Sequence, residues 1–130
     1  MNIHESAEDY LEAILKLQQR SGTVRAIDIA GELGYTKASV SIAMKHLREN
    51  GYVAVGEGGA IRLLAPGQAI AERIYTRHRV LTRFLRALGV SEANAAADAC
   101  KIEHDLSEES FERLREHAEQ ILPPEQAEQR

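Results

Sequence analysis

Residues 26–53 read AIDIAGELGYTKASVSIAMKHLRENGYV, and their spacing decides the fold. The first eight carry Ile29, Ala30 and Leu33 on one face, enough for a short helix over Arg25–Leu33. Gly34 then supplies a backbone conformation that other residues adopt at a cost. Thr36 is placed to cap a second helix over Lys37–Asn50, which Gly51 closes. In that helix Val40, Ala43, Met44 and Leu47 fall at i, i+3, i+4 and i+7 and point inward. The small Ala30 lets the two helices approach closely. Two short helices across a glycine turn are a helix-turn-helix.

The next segment completes the unit. Tyr52–Val55 and Ile61–Leu64 are β-rich runs flanking Gly56, Gly58 and Gly59, the pattern of a hairpin. The expected fold is therefore mainly α, with an N-terminal winged helix-turn-helix. Its second helix would present Thr36, Lys37, Ala38, Ser39, Ser41, Ile42 and Lys45 outward, with Arg25 ahead of the pair and Arg62 at the base of the wing. Short polar side chains and lysines suit the major groove and the phosphate backbone, so this face implies double-stranded DNA as a partner.

Outward from this core, Ser6 to Arg20 reads as a helix, with Ser6 as its cap and Leu11, Ile14, Leu15 and Leu17 inward. Pro66 suits the first turn of a long helix ending near Leu88. Ser91 caps a further helix through about Asp105, and Ser107 caps Glu108–Ile121. Pro123-Pro124 stops that helix, and the EQAEQR tail should fray. Residues 1–65 are expected to form the DNA-binding domain and 66–130 a second, helical domain.

The net charge of −4 first argues against nucleic acid, but its distribution does not. Residues 1–12 hold four acids and no Lys or Arg; residues 13–64 hold seven bases against four acids, a surplus of +3. The remainder holds nine bases and twelve acids. A basic unit thus lies between acidic ones. No apolar run approaches the ~20 residues of a membrane span, and MNIHESAEDY lacks an apolar leader region. One cysteine makes no internal disulfide, which suits a reducing cytoplasm.

That cysteine opens the second motif. In DACKIEHDLS, residues 98–107, Cys100, Glu103 and His104 stand at i, i+3 and i+4 and share a helix face. Thiolate, carboxylate and imidazole are the strong protein donors to a transition metal. Asp9 and Glu12 repeat the i, i+3 spacing on the first helix, where inward acids are otherwise out of place, and His78 lies mid-way along the long helix. Each has a plain structural alternative: a small buried cysteine, a solvated Glu-His pair, acids at a helix dipole. No H-E-x-x-H spacing occurs, and every candidate ligand is expected on a helix, so the pattern does not imply an enzyme.

Four segments together carry a resemblance: ESAEDYLEAI (5–14), the helix-turn-helix of residues 26–53, IYTRHRVLTRFLRALGV (74–90) and DACKIEHDLSEESFERL (98–114). They resemble the diphtheria-toxin-repressor and manganese-transport-regulator family over roughly Glu5 to Gln120. The resemblance implies a metal-activated, homodimeric transcriptional repressor, without the SH3-like third domain of longer members. It implies metal ligation by Asp9, Glu12, His78, Cys100, Glu103 and His104. Asp9 and Glu12 match the manganese branch, Cys100 the iron branch, and His78 with the Glu103-His104 pair both. The second site of the iron branch would need an acid where Thr82 stands and a histidine where Ala96 stands. A different second site could use Glu12, His78 and Glu103.

The soft thiolate implies Fe(II) first, with Mn(II), Co(II) or Zn(II) as alternatives. A rival expectation is a winged-helix regulator in which Cys100 senses oxidation. Ala93–Ala97, Leu81, Phe84, Leu85 and Leu88 are candidates for the dimer surface.

Overall fold

A computed structural model describes residues 5–121. The elements in order are α1 (Glu5–Ser21), α2 (Ala26–Leu33), α3 (Lys37–Glu49), β1 (Val53–Val55), β2 (Ile61–Leu63), α4 (Ala65–Ala87), α5 (Glu92–Ile102) and α6 (Glu108–Ile121). The chain divides into two compact units, residues 1–74 and 75–130, with the division inside α4.

In the first unit, α1 packs on α2, α3 and β2, and α3 packs on α2 and β1. Leu11, Ile14, Ile29, Val40 and Val53 are buried where these elements meet. Burial of such side chains is worth about 1.5–3 kcal/mol each before entropy is counted. Gly34 ends α2 in the left-handed region, with φ 73°, as its sequence position required. The Thr36 hydroxyl accepts from the Ser39 N–H at 3.1 Å, so the expected cap of α3 forms. β1 and β2 pair antiparallel with Val53 opposite Leu63 and Val55 opposite Ile61. Val24 bridges to Ile61 and anchors the hairpin to the segment before α2.

One feature of this unit differs from the sequence expectation. Ser6 lies inside α1, which begins at Glu5, so it is not the cap. The Glu8 carboxylate is buried and accepts from Arg73 of α4 at 3.0 Å. Tyr10 packs edge-to-face on Tyr35, with ring centroids 5.6 Å apart. Burial, with Tyr35 as the smaller cause, pushes its phenol pKa up from the usual value.

In the second unit, Leu81, Ala95, Ala99, Phe111 and Ala118 are buried. Ser91 and Ser107 cap α5 and α6, accepting from Asn94 N–H at 3.3 Å and Ser110 N–H at 3.0 Å. Leu81 is core and leaves the set of candidate dimer residues, whereas Leu88 is 64% exposed. The expected stop at Pro123-Pro124 and the tail lie outside the described residues. Among the described residues no helix is long and apolar enough to cross a membrane.

The start of α4 depends on one missing side chain. A Cβ at Gly67 would lie 2.2 Å from the Tyr52 carbonyl oxygen and 3.3 Å from Leu11 Cδ2. Backbone against backbone cannot yield as a flexible side-chain tip can. Gly67→Ala is expected to destabilise the protein by about 1–3 kcal/mol, the usual cost of overpacking. Urea unfolding checks this, and an unchanged midpoint would refute it.

Candidate functional site

The exposed face of α3 carries the residues anticipated for DNA. Lys37, Ala38, Ser39, Ser41, Ile42 and Lys45 are all exposed, and Arg62 projects from β2 opposite Ala54. Ile42 is 60% exposed, an apolar side chain among lysines and serines. Thr36 and Ser39 are partly engaged already. The Thr36 hydroxyl accepts from the Ser39 N–H and donates to Ser39 Oγ at 3.0 Å. Their first role is to begin α3, which limits the hydrogen bonds left for a ligand. Arg25 caps α2: its N–H donates to Asp28 Oδ2 at 2.9 Å, and its Nε–H donates to the Gly58 carbonyl at 2.9 Å. The same residue thus ties the wing turn to the start of α2. Lys45 and Arg48 border a cleft of about 250 Å³ between α3 and the wing, closed by Val55, Gly59 and Ile61. Two cations beside an open cleft suit a phosphate oxygen.

The donor cluster of the second unit centres on Glu103, whose side chain is 0% exposed. Its Oε1 lies 2.9 Å from His78 Nδ1, and its Oε2 lies 3.5 Å from His104 Nε2. Cys100 Sγ and a carboxylate oxygen of Glu103 lie within 4.8 Å. His104 is buried through its side chain, His78 is 19% exposed, and Cys100 is exposed. With Glu103 ionised, a carboxylate that only accepts would place the proton on His78 Nδ1 and leave the Nε2 lone pair to a metal. That is how a carboxylate orients a metal-ligating imidazole. The donors present, two nitrogens, a carboxylate and a thiol, fit a divalent transition metal. Asp9, half-buried, and Glu12, buried, stand one turn apart on α1 in the first unit. Lys16 approaches Glu12 at 3.8 Å.

The end of α5 differs from the expectation. The sequence predicts a helix through Asp105, but α5 stops at Ile102, and Glu103 is its C-cap. Against that end lies Arg77, which sequence reasoning missed. Its Nη1 donates to the Glu103 carbonyl at 3.0 Å and to the Leu106 carbonyl at 2.7 Å, taking up acceptors beyond the helix end. Cys100 and Glu103 keep their helical relation because Glu103 retains right-handed φ and ψ of −60° and −28°. A single arginine on a helix carries no local sign of burial; only its adjacency to His78 singles it out.

A winged helix-turn-helix with a basic outer face, followed by helices bearing a carboxylate–imidazole cluster, defines a DNA-binding regulator with a metal centre. Two family models match the chain. Residues 2–60 match the iron dependent repressor N-terminal DNA binding domain. Residues 65–122 match the iron dependent repressor metal binding and dimerisation domain. The HTH-type transcriptional regulator MntR of Geobacillus kaustophilus is 36% identical over 109 residues, 84% of this chain and 77% of that one. The transcriptional regulator MntR of Escherichia coli O6:H1 is 33% identical over 111 residues, 85% of this chain and 72% of that one. Among solved structures, T. acidophilum IdeR aligns with a TM-score of 0.76 at 29% identity over 90% of this chain. The manganese regulator SloR aligns with a TM-score of 0.77 at 27% identity over 92%. The chain spans 55% of each of those two solved chains.

The chain belongs to the diphtheria-toxin-repressor and manganese-transport-regulator family of metal-dependent transcriptional repressors. These are DNA-binding regulators, not enzymes.

The exposed lysines of α3 carry a direct expectation. Lys37→Ala and Lys45→Ala should each weaken DNA binding about equally on all sequences and reduce the salt dependence by roughly one counterion. Titrations of labelled duplex across a salt series measure this. An unchanged salt slope for both would remove them from the phosphate contacts.

Proposed function

We propose that the chain is a cytoplasmic, homodimeric repressor that binds operator DNA when a divalent metal is bound, with Fe(II) as the activating ion. The observation that carries this is the buried Glu103 carboxylate flanked by His78 and His104, with the Cys100 thiol within reach. The full ligand set is Asp9, Glu12, His78, Cys100, Glu103 and His104. The first-helix pair enters on the family resemblance. A thiolate donor biases the set toward iron, cobalt or zinc over manganese. Residues 1–65 are the DNA-binding domain and 66–130 the dimerisation and metal-binding domain. Leu88, Ala93 and Ala97, all exposed, remain candidates for the dimer surface.

A bound divalent cation supplies the positive charge that offsets the carboxylates of Asp9, Glu12 and Glu103. Asp9 and Glu12 belong to α1, which packs on α2, α3 and β2. Any restraint on those two residues therefore restrains the recognition helix α3. Across a dimer, two such helices must meet successive major-groove faces about 34–36 Å apart. Only the difference in metal affinity between the ordered and loose arrangements shifts the balance.

Manganese activation is the second reading, and two observations favour it. The two relatives named above are MntR proteins, and SloR is described as a manganese regulator. Cys100 is an exposed residue, and without its thiol as a ligand the remaining set is rich in oxygen and nitrogen, which suits manganese.

The test is binding to an operator library by metal-free protein, repeated anaerobically with Fe(II), Mn(II) and Zn(II), for wild type and Cys100→Ser. The expected result is strong activation by Fe(II) that the substitution abolishes while the Mn(II) response survives. Activation by Mn(II) alone in both proteins moves the assignment to manganese. Equal binding without any metal sinks metal activation and leaves Cys100 as a redox sensor.

A further inference from the structure

Arg77 is the one buried cation among the described residues, with a side chain 2% exposed. A guanidinium is removed from water at a cost of several kcal/mol unless its donors are met. Here Nη1 meets the carbonyls of Glu103 and Leu106, Nη2 donates to Glu108 Oε1 at 2.7 Å, and the Phe111 ring lies 5.0 Å from the guanidinium carbon, while Nε has no hydrogen-bond partner among the described residues. The two carbonyls bracket the turn that bears Glu103 and His104. Arg77 is also the immediate neighbour of His78 on α4. One planar group therefore fixes the turn carrying two donors from the helix position beside the third.

We propose that Arg77 is a positioning residue for the metal centre: its guanidinium grips the backbone of residues 103–106 and sets the geometry in which Glu103, His104 and His78 meet a divalent cation. This role rests on the metal-activation reading. Nη1 spans two acceptors three residues apart, and the Nη2 contact to Glu108 fixes the plane of the fork. A lysine ammonium is a point charge on a flexible stem and cannot hold both sides at once. The backbone carbonyl of Glu103 and its carboxylate leave the same residue, so a turn released at the carbonyl also releases the carboxylate from its 2.9 Å contact with His78. Residues that orient ligands in this way typically change metal affinity by about 10–100-fold when replaced.

The experiment uses the full chain and MnCl2 or CoCl2 as the probes. Dissociation constants, the absorption spectrum of the Co(II)-saturated protein and the metal-free melting temperature are measured for wild type, Arg77→Lys, Arg77→Gln and Glu108→Gln. The expected result is a loss of affinity of about 10–100-fold for Arg77→Lys and Arg77→Gln in folded protein, with an altered Co(II) spectrum. Glu108→Gln keeps a side-chain oxygen to accept from Nη2 and removes only the charge, so it should change affinity by no more than about fivefold. The proposal is overturned if the folded Arg77 variants bind within about twofold of wild type with its Co(II) spectrum. It also fails if no Arg77 variant folds without metal, since Arg77 is then a folding residue. Wild type that binds neither ion overturns the metal-activation reading itself, and the Arg77 role falls with it.

Discussion

A carboxylate withdrawn from water must be met by something, and Glu103 organises the second unit for that reason. Its two oxygens face an imidazole each, at 2.9 Å and 3.5 Å, and its backbone carbonyl faces a buried guanidinium at 3.0 Å. An isolated ionised carboxylate in an apolar interior costs far more than a domain's whole stability margin. The helices around it are therefore not free to drift. The position of α5's last turn, the rotation of α4 that turns His78 and Arg77 toward it, and the entry into α6 at Glu108 are set by the same small group of contacts. A metal centre built there inherits donors already gathered by the needs of the fold.

The first unit solves a simpler problem. Its recognition helix begins with a hydroxyl cap, its turn needs a left-handed glycine, and its inner face is apolar at helical spacing. All three are local, and all three are legible in residues 26–53 alone. The hairpin is nearly as plain, because three glycines leave few ways to close it. The outward placement of Lys37, Ser41, Ile42 and Lys45 then follows from the period of the helix.

The parts not legible depend on distance along the chain. The end of α5 is met by a residue 26 positions upstream, and no capping pattern at Ile102 announces it. Arg77 reads in isolation as one of five arginines in α4. Glu8 reads as a favourable charge at a helix start, and its burial against Arg73 depends on a partner 65 residues away. Leu81 reads as exposed or buried with equal ease, because α4 has apolar residues on more than one face. The donor set itself is legible through spacing and resemblance, since Cys100, Glu103 and His104 lie within one turn. The exposure of Cys100 is not, because a lone cysteine is more often interior.

The Arg25 side chain sets a condition on the wing. Its Nε proton is committed to the Gly58 carbonyl at the tip of the wing, and the contact lies in full solvent. The tip of the hairpin is thereby tied to the start of α2, while the Val24–Ile61 bridge holds its base. A guanidinium carries four further N–H protons on its Nη groups, so an anion met there does not have to displace the carbonyl. The wing is pinned at root and tip, and it is carried as one piece with α2.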